Sequence, residues 1–338
     1  MTGAEIILKT AAGAGVEICF ANPGTTELPL VAALDSIKEI RPVLGLFEGV
    51  CTGAADGYGR IKEKPALTLL HLGPGLANGI ANLHNARRAR TPLVNIVGEH
   101  TTWIRPYDPP LNMDIEGLAK TLSGWQKQSE SAGKLSADTA EAIFNSQYGQ
   151  ISTLIVPADL QSATVGTSEI ADRPFAFNPV SEEMMPHAVS IIQEATSPAL
   201  ILGGRALRRK GLEAAAQIKA KSGCELIMMT FPSLFEAGAG LPVLKRVPYF
   251  PGEAQKLLKK YDAFILVGTG EPTAFFGYAE GITSFLPEKA PRLRLDTNKQ
   301  DAAEVLAWLS SSLGPDAGQD QLQSVLARPC SPELPAGK

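Results

Sequence analysis

The first half of the chain alternates short apolar runs with helix-like segments, and this alternation limits the possible folds more than any other feature. The clearest run is Leu93-Val94-Asn95-Ile96-Val97-Gly98, nearly continuous in apolar residues. Such a run is expected of a strand covered by helices on both faces. Further strands are read at 17–21, 41–47, 66–72, 126–131 and 152–157, with helical patterns over 3–15, 49–64, 114–122 and 138–148 and over segments ending near 40 and 89. Six strands alternating with helices imply a parallel sheet with helices on both sides. A second, smaller series follows, with strands at 199–202, 225–230, 263–268 and 292–296 and helices at 182–195, 211–221, 253–260, 302–313 and 320–327. The expected fold is α/β, with two doubly wound domains built on mainly parallel sheets. The expected boundaries are a first domain at 1–163, a linker rich in Ser, Thr, Pro and Asn at 164–183, a second domain at 184–328 and a Pro-rich tail at 329–338.

Composition removes several classes of function. With 338 residues, 44% hydrophobic and 20% charged, the chain has the make-up of a globular protein of about two domains. Its net charge of −4 and the lack of a basic block speak against a nucleic-acid partner. Arg87-Arg88-Ala89-Arg90 and Arg208-Arg209-Lys210 are short enough to be solvated helix faces. The cysteines Cys19, Cys51, Cys224 and Cys330 form no C-x-x-C pair, a pattern of reduced thiols that points to the cytoplasm. The histidines are scattered, so no metal constellation is expected within the chain. No signal peptide pattern and no apolar run of about 20 residues is found, so no membrane partner is expected. Nucleophile-elbow, Walker A and H-E-x-x-H motifs are absent.

In doubly wound sheets, ligands sit at the carboxyl ends of the strands. Three stretches fall there: Asn22-Pro23-Gly24-Thr25-Thr26-Glu27, Glu48 with the small-residue segment behind it, and His71-Leu72-Gly73-Pro74-Gly75-Leu76-Ala77-Asn78-Gly79. Each has an ordinary reading. Thr25 or Thr26 would cap the next helix, with Glu27 near its start. Glu48 would be a first-turn acid stabilised by the helix dipole. Gly73-Pro74-Gly75 would be a tight strand-to-helix turn, and His71 a satisfied strand histidine. Their convergence supports a functional reading: Glu48 as a buried acid for proton transfer, His71 as an acid or base, Gly73 and Gly75 admitting a ligand close to the backbone, and Asn78 touching it from the first helical turn. In the second half, Gly203-Gly204 and Gly268-Thr269-Gly270 follow apolar strands, but neither completes G-x-G-x-x-G.

These motifs resemble those of thiamine-diphosphate-dependent 2-oxo acid enzymes of the acetolactate synthase and benzoylformate decarboxylase group. Glu48 followed by Ala54-Ala55-Asp56-Gly57-Tyr58-Gly59-Arg60 is similar to that family's glutamate and its A-D-G-Y-A-R signature. Gly73-Pro74-Gly75-Leu76-Ala77-Asn78-Gly79 is similar to its G-P-G-x-x-N segment, and Asn22-Pro23-Gly24-Thr25-Thr26-Glu27-Leu28-Pro29 to the N-P-G-[ST]-x-E-L-P opening of the benzoylformate decarboxylase branch. Phe47 and Glu99-His100 depart from the residues that acetolactate synthases usually carry there. The resemblance implies thiamine diphosphate as cofactor, with Asn22, Pro23, Gly24, Glu48, Gly73, Pro74, Gly75 and Asn78 against it. Glu48 would hydrogen-bond N1′ of the aminopyrimidine, His71 would shuttle protons, and Thr25 and His71 would contact a 2-oxo acid substrate. The implied reaction is decarboxylation followed by protonation or carboligation, in a homodimer or homotetramer.

The family holds the diphosphate through Mg²⁺ on a third domain marked by Gly-Asp-Gly, a tripeptide not found in this chain. The expectation is therefore half a cofactor site, inactive by itself, with Mg²⁺ supplied elsewhere and FAD unlikely in the second domain. A truncated enzyme, a split enzyme with a separate diphosphate-domain subunit, and a non-catalytic or regulatory protein of the same fold all remain open. A nucleotide-binding module is the rival of a different class, and it would be indifferent to Glu48.

Overall fold

The computed structural model describes residues 1–166, 170–279 and 281–328. The expected tail 329–338, with Cys330, and residues 167–169 of the expected linker lie outside the described residues. The chain divides into two compact units, Met1–Ala176 and Phe177–Lys338.

The first unit is a six-stranded parallel sheet. Its strands are β1 (Ile18–Asn22), β2 (Arg41–Leu44), β3 (Ala66–Leu70), β4 (Leu93–Glu99), β5 (Trp125–Gln128) and β6 (Ile151–Pro157), in the order β2-β1-β3-β4-β6-β5. The helices are α1 (Gly3–Gly13), α2 (Leu28–Ser36), α3 (Glu48–Lys62), α4 (Leu72–Ala89), α5 (Ile115–Lys120), α6 (Leu135–Ser146) and the short α7 (Ala158–Ser162). One apolar core gathers Ile6, Ile7, Leu30, Leu34, Leu67, Val94, Ile143 and Leu154, joining α1, α2 and α6 to one face of the sheet. A second joins α3, α4 and α5 to the other face through Cys51, Ala55, Leu70, Leu76, Leu83, Val97, Ile115 and Ile155. Strands β3, β4 and β6 are buried along their whole length, as their unbroken apolar runs require. The polar residues among them are paired across the sheet. Thr68 Oγ1 donates to Asn95 Oδ1 at 2.7 Å, Asn95 Nδ2 donates to Thr153 Oγ1 at 3.0 Å, and Thr153 shares a 2.7 Å hydrogen bond with Ser123.

The second unit is a smaller doubly wound sheet. Helix α8 (Met185–Glu194) precedes β7 (Pro198–Leu202), α9 (Arg209–Ser222), β8 (Glu225–Met228), β9 (Lys245–Arg246), α10 (Pro251–Leu258), β10 (Ala263–Val267), β11 (Arg292–Arg294), α11 (Ala302–Ser312) and α12 (Gln319–Val325). The strand order is β11-β10-β7-β8-β9, all parallel. The two-residue edge strand β9 has no periodicity that the sequence could reveal. It is tied down by charge: Glu225 pairs with Lys219 at 2.6 Å and with Lys245 at 2.5 Å, and Lys245 also donates to the Tyr261 hydroxyl at 2.9 Å. Among the described residues no helix is long and apolar enough to cross a membrane.

Asn95→Ala is expected to cost about 2–3 kcal/mol, read as a lower urea midpoint, because it leaves the buried Thr68 and Thr153 hydroxyls short of a partner. A loss near zero would mean that the ladder is dispensable. For Glu225, burial alone would raise the carboxyl, but hydrogen bonds from Lys219 and Lys245 hold it below its ordinary value of 4.5. A depressed folded value gives stability that is present above 4.5 and lost as pH falls through the lower folded value. The difference between wild type and Glu225→Gln, about 1 kcal/mol or less at neutral pH, should therefore vanish in acid. A difference in urea midpoint that does not change with pH would contradict this.

Candidate functional site

Strands β1 and β3 end level with one another, and this brings the site's loops together. Asn22 at the end of β1 is in register with Leu70 at the end of β3, and Leu70 with Val97 on β4. The chain leaves β1 for α2 on one face and leaves β3 for α4 on the other. The crevice between these two strands is the topological switch point where ligands bind in such sheets.

Glu48 is the first residue of α3 and is buried. Asn78 Nδ2 donates to Glu48 Oε2 at 3.0 Å. The other oxygen, Oε1, takes no hydrogen bond from the described residues; it lies 3.3 Å from where a Cβ on Gly75 would stand. The same Cβ would be 3.4 Å from the Cβ of His71, so Gly75 sits between the acid and the imidazole. Small residues let α3 and α4 approach closely. A Cβ on Gly79 would be 2.7 Å from Thr52 Cγ2, while Thr52 Oγ1 donates to the Gly79 carbonyl at 3.1 Å and Asn82 Nδ2 to the Gly49 carbonyl at 2.7 Å.

The turn that carries His71 differs from its expected form. Strand β3 stops at Leu70, and Gly73-Pro74-Gly75 lies within the first turn of α4 rather than forming the turn itself. Pro74 is tolerated there because the amides of a first helical turn have no intrahelical acceptor. The reversal happens at His71 and Leu72. His71 is extended, and Leu72 is left-handed at φ 52°, a costly conformation for a leucine, held by its complete burial. Asn78 consequently stands in the second turn, not the first. Gly73 abuts Met113, whose Sδ would be 2.6 Å from a Cβ on Gly73. Its missing side chain therefore makes room for another part of the chain, and Gly75 is the glycine that faces the acid.

The loop after β1 also differs. Asn22 turns inward, with Nδ2 donating to the Gly45 carbonyl at 2.7 Å. Pro23 leads into Gly24, which packs on the His71 ring so closely that a Cβ there would overlap it. Neither threonine caps α2. Thr25 is exposed, and Thr26 Oγ1 donates to Glu27 Oε1 at 2.6 Å while lying 3.2 Å from His71 Nδ1. Glu27 is the residue that sequence reasoning undervalued. It is wholly buried, and its Oε2 accepts from the Gly24 amide and lies against His71 Nδ1, each at 2.8 Å. A Cβ on Gly98 would collide with Glu27 Oε1. Two signals were available: the place of Glu27 in the N-P-G-[ST]-x-E-L-P segment, and Gly98, since a glycine within a fully buried strand marks a close approach. Glu99, next along β4, is buried too; its Oε1 accepts from the His100 amide at 2.7 Å and its Oε2 lies 3.6 Å from Arg105 Nε.

The glycines of the second unit serve its own backbone. A Cβ on Gly203 would be 2.7 Å from Thr269 Cβ and 2.9 Å from the Gly268 carbonyl oxygen, so the two strand-end loops touch. The Gly268 amide donates to Asp296 Oδ1 at 2.9 Å. That amide is therefore engaged within the unit itself.

Residues 1–122 match the family described as thiamine pyrophosphate enzyme, N-terminal TPP binding domain. Residues 1–122 thus carry the N-terminal domain of this family. The chain is 40% identical over 344 residues to IlvX of Mycobacterium tuberculosis, a candidate acetolactate synthase large subunit, covering 100% of this chain and 64% of that one. The acetolactate synthase large subunit of Corynebacterium glutamicum is 26% identical, over 80% of this chain and 44% of its own length. Benzoylformate decarboxylase of Pseudomonas aeruginosa is 29% identical, over 56% of this chain and 37% of its own. Among solved structures, a 4-hydroxybenzoylformate decarboxylase of Rhodococcus jostii RHA1 shares the fold, with a TM-score of 0.79 at 21% identity, covering 100% of this chain and 65% of that one. The chain thus spans less than two thirds of the length of each of these relatives.

Cys51, on α3 near Glu48, and Cys19, on β1 facing the other core, are free and buried. Burial, with Cys51 adjoining, pushes the Cys19 thiol up to about 12, and burial raises Cys51 as well. Both should resist alkylation at pH 8 in the native protein and react in denaturant, as read by mass spectrometry of the labelled peptides. Labelling of native Cys19 would show that the strand ends open.

Proposed function

We propose that the chain supplies the pyrimidine side of a thiamine diphosphate site, in an enzyme that decarboxylates a 2-oxo acid and then protonates the product or joins it to a second carbonyl compound, as an acetolactate synthase does. The observation that carries this reading is the state of Glu48. Its carboxylate is buried at a helix start, one oxygen is fixed by Asn78, and the other is left open against the bare Cα of Gly75. An aminopyrimidine ring needs a carboxyl group that can share a proton with N1′, and space beside it. The bound cofactor would supply the electron sink for decarboxylation.

The chain's own residues do the rest. Glu48 holds the proton at N1′, and Asn78 keeps the carboxylate in one orientation. Gly75 leaves the ring room to approach. His71, beside Gly75, carries protons to and from the substrate. Thr25, exposed on the β1–α2 turn, contacts the substrate. Asn22, Pro23 and Gly24 shape the loop, and Pro74 and Gly73 seat the start of α4 against Met113. We assign the diphosphate and its Mg²⁺ to another domain, because the chain contains no Gly-Asp-Gly. No step is assigned to FAD. Leu44, Leu46, Phe47 and Val50 expose apolar surface around Glu48, of the kind another protein face covers. The diphosphate-holding domain is the partner this reading calls for, within a homodimer or homotetramer or on a separate subunit, in the reducing cytoplasm.

Thiamine diphosphate with Mg²⁺ should bind the chain alone only weakly, near millimolar, about −4 kcal/mol. Amide shifts should centre on Glu48, Gly75 and Asn78, and Glu48→Gln should abolish them. Micromolar binding that survives Glu48→Gln would sink the proposal.

A further inference from the structure

Glu27 shares no hydrogen bond with Glu48 among the described residues, yet it is the most completely enclosed acid at the strand ends. Its carboxylate is surrounded by donors. Gly24 N–H reaches Oε2 at 2.8 Å, the Thr26 hydroxyl reaches Oε1 at 2.6 Å, and His71 Nδ1 lies 2.8 Å from Oε2. An ionised carboxylate only accepts, so the ring nitrogen facing it must carry a proton. The Thr26 hydroxyl gives its single proton to Glu27, which leaves only its lone pairs for Nδ1, 3.2 Å away. Both neighbours of Nδ1 are therefore acceptors toward it.

We propose that Glu27 is a positioning residue that holds His71 in its Nδ1–H tautomer and in one ring orientation, so that Nε2 is the nitrogen that exchanges protons with substrate. The inference rests on the reading of His71 as the site's proton carrier, but its structural content is independent of thiamine binding. Three features fix the pair. Gly24 lets the loop lie flat on the ring, where any side chain would overlap it. Gly98 leaves a slot in β4 that the Glu27 carboxylate fills, and a methyl group there would push it out. Leu72, held at positive φ, swings His71 out of the strand toward α2. In the neutral ring Nε2 is then a bare acceptor, and a proton taken up there gives an imidazolium whose charge lies against the Glu27 carboxylate. The arrangement favours a histidine that first accepts a proton and then returns it. Thr26 completes the pair, which gives a role to a threonine that the sequence had suggested only as a helix cap.

The test is a ¹⁵N-edited spectrum of the histidine rings in the full chain, taken where the rings are neutral, with His71 assigned by its loss in His71→Gln. Wild type should show Nδ1 protonated and Nε2 bare. Glu27→Ala should lose the Nδ1–H signal in favour of a mixture of tautomers, Gly98→Ala should shift it the same way from the opposite side, and Glu27→Asp should restore part of it. Glu48→Gln should leave the His71 tautomer unchanged while abolishing the thiamine-dependent shifts, so failure of this proposal and failure of the cofactor reading are separable. An Nε2–H tautomer in wild type, or an Nδ1–H signal unaffected by Glu27→Ala, overturns the proposal. The wild-type spectrum alone decides if the alanine variants do not fold.

Discussion

The close approach of α3 and α4 is the constraint on which the site depends. Thr52 and Asn82 hydrogen-bond across the contact to carbonyls of the opposite helix, and the absence of side chains at Gly79 and Gly53 leaves space for them. That contact fixes the distance between the two helix starts. Glu48 sits at one start and His71 at the other, and Asn78 reaches across to hold the acid. A bulkier residue at Gly79 would pry the helices apart at their middle and displace both functional groups together. The small-residue signature is thus a statement about geometry as much as about close packing.

Two buried carboxylates at the same strand ends have opposite hydrogen-bonding states. Glu27 takes donors on both oxygens, from an amide, a hydroxyl and an imidazole, and lies in a slot that Gly98 leaves open. Glu48 keeps one oxygen without a donor among the described residues. A carboxylate with both oxygens engaged by its own fold is suited to holding a neighbour in place; one with an open oxygen can act on a ligand. The second unit makes a similar contrast. It ends its strands in glycines, as nucleotide-binding folds do, but its loops meet each other and Asp296 takes the Gly268 amide.

The α/β alternation was legible because burial on both faces leaves strands such as β4 almost wholly apolar, a pattern local sequence carries directly. Boundaries and turns were less legible. The run from Ala66 reads as strand through Leu72, yet the structure reverses at His71, because Leu72 adopts a left-handed backbone whose cost is offset by burying its side chain. Strand β9 has two residues, too few for any periodicity, and exists because Lys245 finds Glu225 and Tyr261. Thr26 and Glu27 read locally as helix-start residues, since nothing near them in sequence shows that Gly98, on β4, leaves room for a carboxylate.

By itself the sequence determined the doubly wound architecture and put the candidate residues, Glu48 among them, at the carboxyl ends of the strands. These follow from periodicity and from motif residues that lie within a few positions of one another. Tertiary structure alone decided that Gly75 rather than Gly73 faces that acid, that Thr26 rather than Thr25 meets the histidine, and that Glu27 is its partner. Each of these depends on contact between residues on different strands or loops. Such contacts are set by sheet register and by which glycine leaves a gap, and neither is encoded in the spacing of residues along the chain.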